Sequence, residues 1–419
     1  MNHSRWLPLI LLIPCVLFLR FLTLPDLSCH GSKNPALLEA QSLLDGKIAI
    51  PQRVHDSALF GGKAYNVFQP GQTLFFLTHY LLFGEHGLKL FQLELLLVAV
   101  FSTLLLGQAL LTLTGEQMVP AICITVSAIF GAPYLVSLRQ AFHCSVYRVN
   151  HCMSLLFISL SLYLLNRLPP SAIGSRRDRL LSIGACIGAA VLFRAQHVLL
   201  VLLPLGCLLQ DENTWAIRRV LRDSSLRRNL AQELVHLLLF PALAVLIIFG
   251  FQAFRFGNPL TSGYELIYVG RTDVLAERAR TYGIFSLHFV PENLYRTFLA
   301  LPTFSFDGRW RLSVVGDPRG NSLLLSQPLL LLFPLLLPGL RTARAQNYLL
   351  SALALAVPVW LYHNPGYHAP GYMRLSLDYL PLWVAALAAS MRALPHKRYL
   401  SYALLLCALW AVIYAQLLL

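Results

Sequence analysis

The sequence predicts an all-α, polytopic membrane protein, and three observations carry that prediction. Hydrophobic residues make up 57% of the chain and charged residues only 12%, where soluble domains devote about 25% to Asp, Glu, Lys and Arg. Apolar runs recur from end to end, as in Leu7–Leu24, Leu88–Leu113, Leu234–Phe251 and Tyr399–Leu419. A run of ~20 apolar residues fits a hydrocarbon core ~30 Å thick. Finally, Arg and Lys gather in short segments between those runs.

The elements follow in order. Candidate spans lie near 6–24, 88–113, 118–137, 150–166, 180–194, 195–210, 232–253, 323–340, 346–361, 375–391 and 398–418. The first lacks a small-residue cleavage site and reads as an uncleaved helix. Alternating the spans from inside gives the inner loops "TGEQ", "NRLPPSAIGSRRDR", "AIRRVLRDSSLRRN", "RTAR" and "RALPHKR". All but the first are basic, which is the positive-inside pattern. The formal net charge of +14 is thereby a topology signal, and no nucleic-acid partner is expected. The eleven spans form one integral membrane domain over residues 1–419, with the amino terminus inside.

The outer side then holds residues 25–87, 138–149, 254–322 and 362–374, besides a tight turn at Arg194. Long loops in compact proteins tend to be functional or disordered. These alternate aromatic, Gly and Pro residues, so order is expected, with 25–87 and 254–322 capping a site. In the first loop, "NPALLEAQSLLDG" has helical spacing and is expected to lie along the interface, with Glu39 and Asp45 facing water. "GQTLFFLTHYLLFG" is apolar but short for a span and reads as an interfacial or re-entrant helix. Between them, "HDSALFGGKAYNVFQPGQ" is rich in turn formers and polar groups.

Four stretches, in this order and on this side, carry a resemblance. They are "LLEAQSLLDGKI" with "HDSALFGGKAYNVFQPGQ", then "FRFGNPLTSGY" at 254–264, "GIFSLHFVPENLYRTFLALP" at 283–302, and "YHNPGYHAPGYMRLSLDYLP" at 362–381. The layout resembles that of the GT-C glycosyltransferases, and the local stretches are similar to bacterial proteins of the glycosyltransferase family 39 type. The resemblance implies a GT-C-like bundle of about eleven transmembrane helices whose two large outer loops carry interfacial helices. It implies transfer of a hexose or pentose from a polyprenyl-phosphate carrier to a lipid, glycan or protein acceptor in the cell envelope. The setting would be a bacterial inner membrane, with the active site facing outward. One departure stands out. Relatives carry an Asp-Glu pair where this chain has Ser32-Lys33, and an acid before a Tyr where this chain has Ser145 in "FHCSVYR".

In the inverting single displacement so implied, a carboxylate takes the acceptor proton. Cations hold the leaving phosphate as its charge develops. Asp56 is the first candidate base, since it lies in the best-matched stretch, with Asp26 at the membrane exit as the second. A turn cap is the bland reading of Asp56. Arg194, in "VLFRAQHVLL", is an ionisable residue at membrane depth and the leading phosphate ligand; snorkelling to the interface is its bland reading. Lys63, Arg255, His363 and Arg374 are further substrate-binding candidates, although Arg374 and Asp378, four apart, could simply pair on a helix. Tyr65, Tyr264, Tyr362 and Tyr367 offer aromatic surface. The His spacings argue for no metal site, and no cofactor is expected. In this architecture Cys29 and Cys144 approach one another, so a disulfide between them is expected. Two other classes stay open: a non-catalytic relative that binds lipid-linked sugar, and a transporter of it, against which the outer-sided polarity argues.

Overall fold

The apolar runs from Leu88, Leu234 and Tyr399 fall in the longest described helices of the computed structural model, since only a helix satisfies every backbone polar group inside hydrocarbon. The structure describes Leu7, Ile10, Leu11 and residues 34–84, 87–142, 144–166, 176–211, 214–306, 312–364, 366, 372–392 and 398–418. All ten expected spans from 88 onward contain helix. The expected span 6–24 lies outside the described residues except at Leu7, Ile10 and Leu11, which are helical.

In chain order, α1 is Pro35–Leu44, a hairpin joins β1 (Ser57–Phe60) to β2 (Lys63–Asn66), and α2 is Gly71–Phe83. The bundle continues with α3 (Gly87–Leu113), α4 (Met118–Phe130), α5 (Ala132–Phe142), α6 (Val146–Asn166) and α7 (Arg176–Phe193). A 3₁₀ segment, Ala195–Val201, leads into α8 (Leu202–Leu208). Among the described residues, Phe91–Leu113, Val146–Asn166, Ser224–Phe256 and Tyr399–Leu418 are each long and apolar enough to cross a membrane; α4 and α5, bent by 44°, make a fifth as a pair. The Gln327 side chain is seated in that bend, donating to the Ser127 carbonyl (2.8 Å) and accepting from the Ser127 hydroxyl (2.9 Å). This is an integral, multi-pass membrane protein.

Several boundaries differ from expectation for local reasons. The basic loop "AIRRVLRDSSLRRN" is helical almost throughout, as α9 (Ile217–Arg222) and then α10 (Ser224–Phe256). Asp223 caps α10 by accepting from the backbone N–H groups of Ser225 and Leu226, so the helix starts well before the expected span at 232. The expected span 323–340 is instead a short α-helix, Leu323–Ser326, and a 3₁₀ stretch, Pro328–Leu336. Pro328 and Pro334 remove donors that an α-helix would use. Helices over Ala343–Leu361, Leu380–Met391 and Arg398–Leu418 complete the bundle.

Close packing of α7 against α10 has a sequence cause. Gly184 and Gly188 form a G-x-x-x-G step, and a Cβ on either would lie 2.4 Å from the Leu237 carbonyl oxygen or 2.7 Å from that of Phe240. Small residues at this spacing let two membrane helices touch backbone to backbone.

The first long loop is more buried than expected. Helix α1 forms as its spacing predicts, capped by Asn34, but Pro35 to Ala40 are all buried. Glu39, expected to face water, is fully buried. Its carboxylate takes two hydrogen bonds from Arg255 at the end of α10 (2.6 and 2.5 Å) and others from Asn66 (2.8 Å) and Thr73 (2.6 Å). A charge can sit there because it is paired and fully hydrogen-bonded. Asp45 is exposed, as expected.

Candidate active site

Loop and helix ends converge to build two adjoining cavities. At Gly71, α2 abuts the last turn of α7; a Cβ there would lie 2.6 Å from the Leu192 carbonyl oxygen. This contact sets Phe68 and Gln69 beside Arg194. Phe68 packs edge-on against Tyr147 of α6 (4.9 Å) and Tyr264 of the second long loop (6.0 Å). The second loop is stitched to the segment after Leu361 by backbone hydrogen bonds from Ser286 to Leu361 and from His363 to Ile284, both 2.9 Å. Asn293 donates to the carbonyls of Trp360 and Tyr362, holding the chain as it leaves the helix.

The first cavity, of about 340 Å³, is mostly apolar and is lined by Phe68, Gln69, Asn150, Arg194, Gln196, Glu265 and Phe285, among others. The second, of about 410 Å³, is also mostly apolar in surface but carries more charged groups, which makes it the more polar of the two; it is lined by His55, Asp56, Arg148, Tyr268, Arg271 and Asn364, among others. Tyr147, Tyr264, Tyr362 and Arg374 belong to both linings and form the wall between them.

Asp56 faces the polar cavity with a side chain only 11% exposed. His55 Nδ1 lies 2.6 Å from its Oδ2 and the Arg271 guanidinium 3.9 Å from its Oδ1. The backbone of Asp56 is left-handed, at φ 64°, a conformation uncommon outside Gly and tolerated best by Asn and Asp. The hydrogen bond to Asp56 raises the His55 pKa above its ordinary value, against the lowering effect of burial. Asp56 and Glu265 are the carboxylates found on the two linings.

Arg374 is 4% exposed and lies between the cavities. Its guanidinium sits 4.8 Å from the centre of the Tyr147 ring. The alternative weighed for Arg374, a pair with Asp378, does not occur. Arg374 falls in a 3₁₀ helix, Arg374–Asp378, whose three-residue turn sets positions four apart on different faces. Asp378 accepts instead from Arg194 and Gln196, each at 2.6 Å. Among the described residues, no salt bridge joins Arg374 to a carboxylate, and its Nε has no hydrogen-bond partner.

The other predicted residues divide. Tyr264 lines both cavities and Arg194 lines the apolar one. Arg194 stands in extended backbone between α7 and the 3₁₀ segment, where a turn was expected. Tyr65 is half-buried and packs on Phe256 (5.7 Å), lining neither cavity. Lys63 is exposed on the hairpin and lines neither. His363 is buried behind the polar cavity, 2.6 Å from the Tyr268 hydroxyl, and burial pushes its pKa down to about 4. Arg255 is taken up by Glu39. Asp26, Cys29 and Tyr367 lie outside the described residues. Cys144, the expected partner of Cys29, is disulfide-bonded.

Sequence reasoning missed Arg148, Arg271 and Gln196. Arg148 was in plain view in "FHCSVYR", and Gln196 and His197 follow Arg194 inside an otherwise apolar run. Arg271 gave no local signal.

No protein-family model matches the chain, and no curated protein matches it. Solved structures do. The Archaeoglobus fulgidus oligosaccharyltransferase in its apo form aligns with TM-score 0.54 at 14% identity, over 98% of this chain and 55% of that one. The chain has the GT-C fold. The archaeal oligosaccharyltransferase AglB from Archaeoglobus fulgidus, in complex with an inhibitory peptide and a dolichol-phosphate, aligns with TM-score 0.50 at 14% identity, over 99% of this chain and 55% of that one. ArnT from Cupriavidus metallidurans bound to undecaprenyl phosphate aligns with TM-score 0.49 at 14% identity, over 92% and 60%. This chain thus spans little more than half the length of these GT-C structures.

Proposed function

We propose that the protein moves a sugar from a polyprenyl-phosphate carrier to a cell-envelope acceptor, with its site on the outer face of a bacterial inner membrane. One observation carries the reading. Arg374 is a buried guanidinium with no carboxylate partner among the described residues, placed where two cavities meet, the second richer in charged side chains. A buried charge without a partner is costly, so an anionic ligand at that wall is its natural complement. Guanidinium is well matched to phosphate. The first cavity, with fewer charged side chains, suits the start of a prenyl chain, and the second suits sugar and acceptor.

In this reading the acceptor hydroxyl attacks the anomeric carbon in the polar cavity. Asp56 takes the hydroxyl proton as the new glycosidic bond forms. The bond from the anomeric carbon to the phosphate oxygen breaks with inversion, and the electron pair goes to the phosphate. Arg374, with Arg194 behind it, holds that growing charge. His55 and Arg271 orient Asp56. Asp26 is the reserve candidate for the base, and Lys63, Tyr65 and His363 support the loops that shape the cavities.

The test is transfer of labelled sugar from polyprenyl-phosphate donors by purified protein, with Asp56→Asn beside it. Loss of transfer in the variant, with lipid binding kept, supports the assignment. A parent protein that binds the carrier yet transfers from no donor would be the non-catalytic relative. Its motive here is the absence of the Asp-Glu pair at Ser32-Lys33.

A further inference from the structure

Behind the apolar cavity lies a buried polar cluster, centred on Asp378, that the transfer chemistry touches only through Arg194. Asp378 is 1% exposed. Its Oδ2 accepts from Arg194 and from Gln196, both of which line the cavity. Its Oδ1 faces His151 Nδ1 at 3.4 Å and His197 Nε2 at 3.3 Å, yet no aligned donor satisfies it. Arg194 spends one arm on Asp378, while its Nε has no partner. Asp378 itself lines neither cavity.

From this geometry we infer that Asp378 is a positioning residue that sets the charge of the donor cavity through Arg194. The inference rests on reading the cavity as a polyprenyl-phosphate site. Asp378 neutralises Arg194 from behind and fixes its guanidinium and the Gln196 amide at the cavity edge. Arg374 is left as the guanidinium whose charge is uncompensated. The polyprenyl phosphate produced by transfer must leave for turnover to continue. A donor cavity with one of its two guanidiniums balanced from behind can hold the donor and still release that product. With both unbalanced it would hold the product too long.

This predicts opposite changes in binding and turnover, which mere loss of packing would not give. Asp378→Asn keeps the shape and an acceptor for Arg194 but removes the balancing charge. It should bind polyprenyl phosphate roughly tenfold more tightly, within the range for coupled neighbours, while kcat falls by a similar factor. Arg194→Gln should bind it more weakly, because Asp378 is then unbalanced. The double variant Asp378→Asn with Arg194→Gln should return to near-parent affinity.

Affinity would be measured for the purified protein in nanodiscs, with undecaprenyl phosphate as the probe. Binding in Asp378→Asn that is unchanged or weaker would overturn the inference. If Asp378→Asn does not fold, the comparison of Arg194→Gln with the double variant reads the same coupling, and failure of the double variant to recover affinity overturns it. A parent protein that does not bind undecaprenyl phosphate would instead remove the functional reading beneath it. The two failures are therefore distinguishable.

Discussion

Glu39 and Arg255 stand 216 positions apart in the chain and share two hydrogen bonds in its interior. Arg255 also donates to the Phe68 carbonyl at 2.8 Å. The pair ties α1 of the first long loop to the end of α10, and Phe68 leads directly into the cavity wall. Removing one partner of a buried pair leaves an uncompensated charge and costs ~3–5 kcal/mol. Glu39→Ala should therefore lower unfolding stability by about that much, while Glu39→Ala with Arg255→Met should cost less. Thermal unfolding in detergent, followed by loss of monodispersity, checks both. Equal loss in the single and double variants would show that burial of the charges is not the issue.

The contact of α7 with α10 should be equally sensitive. A Cβ at Gly184 would meet backbone rather than a movable side chain, so Gly184→Ala must push the helices apart. Overpacking typically costs ~1–3 kcal/mol. Ala at Gly250, where a Cβ would meet nothing within 4 Å, is the control. Comparable melting temperatures for the two variants would contradict the packing account.

Acid should loosen the second long loop. Asp317 accepts from Arg296 at 2.6 Å and from the Arg319 side chain at 3.2 Å and backbone at 2.8 Å. Burial alone would raise its pKa. The hydrogen bonds from Arg319 and Arg296 outweigh it and bring the pKa down to about 2. A depressed carboxyl contributes stability that is present above its unfolded pKa, near 4, and is lost as pH falls toward 2. Hydrogen exchange over residues 290–320 should speed up between pH 4 and pH 2 beyond its intrinsic rate, and Asp317→Asn should remove that excess.

The His55–Asp56 pair gives a pH signal of the opposite sign. His55 has its pKa raised by Asp56. Its favourable pairing is complete below the ordinary histidine value of ~6.5 and is lost as pH rises through the elevated one. Titrating the His55 imidazole by NMR should show the elevated value in the parent and a lower one in Asp56→Asn. No change between the two would mean that Asp56 does not hold the ring.

What the sequence makes legible here is what repeats or sits locally. Apolar runs announced the helices, and the spacing of "NPALLEAQSLLDG" announced α1. Glu39 was misread because its partner is 216 residues away; an amphipathic pattern does not say whether the polar face meets water or a buried arginine. The alternative of an Arg374–Asp378 pair fails because four residues share a face only on an α-helix, and the chain there is 3₁₀. Arg194, Asp56, Tyr264 and Arg374 were all placed on cavity walls by elements remote in sequence. Their chemical types were legible, and their grouping into two chambers was not.

The central claim is that Arg374, at the wall between the cavities, recognises the phosphate of a prenyl carrier. The most direct measurement is the affinity of the purified protein for undecaprenyl phosphate and for undecaprenol, which lacks the phosphate, in parent and Arg374→Gln. The account predicts clear preference for the phosphate in the parent and a loss of about 1.5–3 kcal/mol of it in the variant, the worth of a hydrogen bond to a charged group. Equal binding of the two lipids by the parent, or a phosphate preference unchanged by Arg374→Gln, would contradict it.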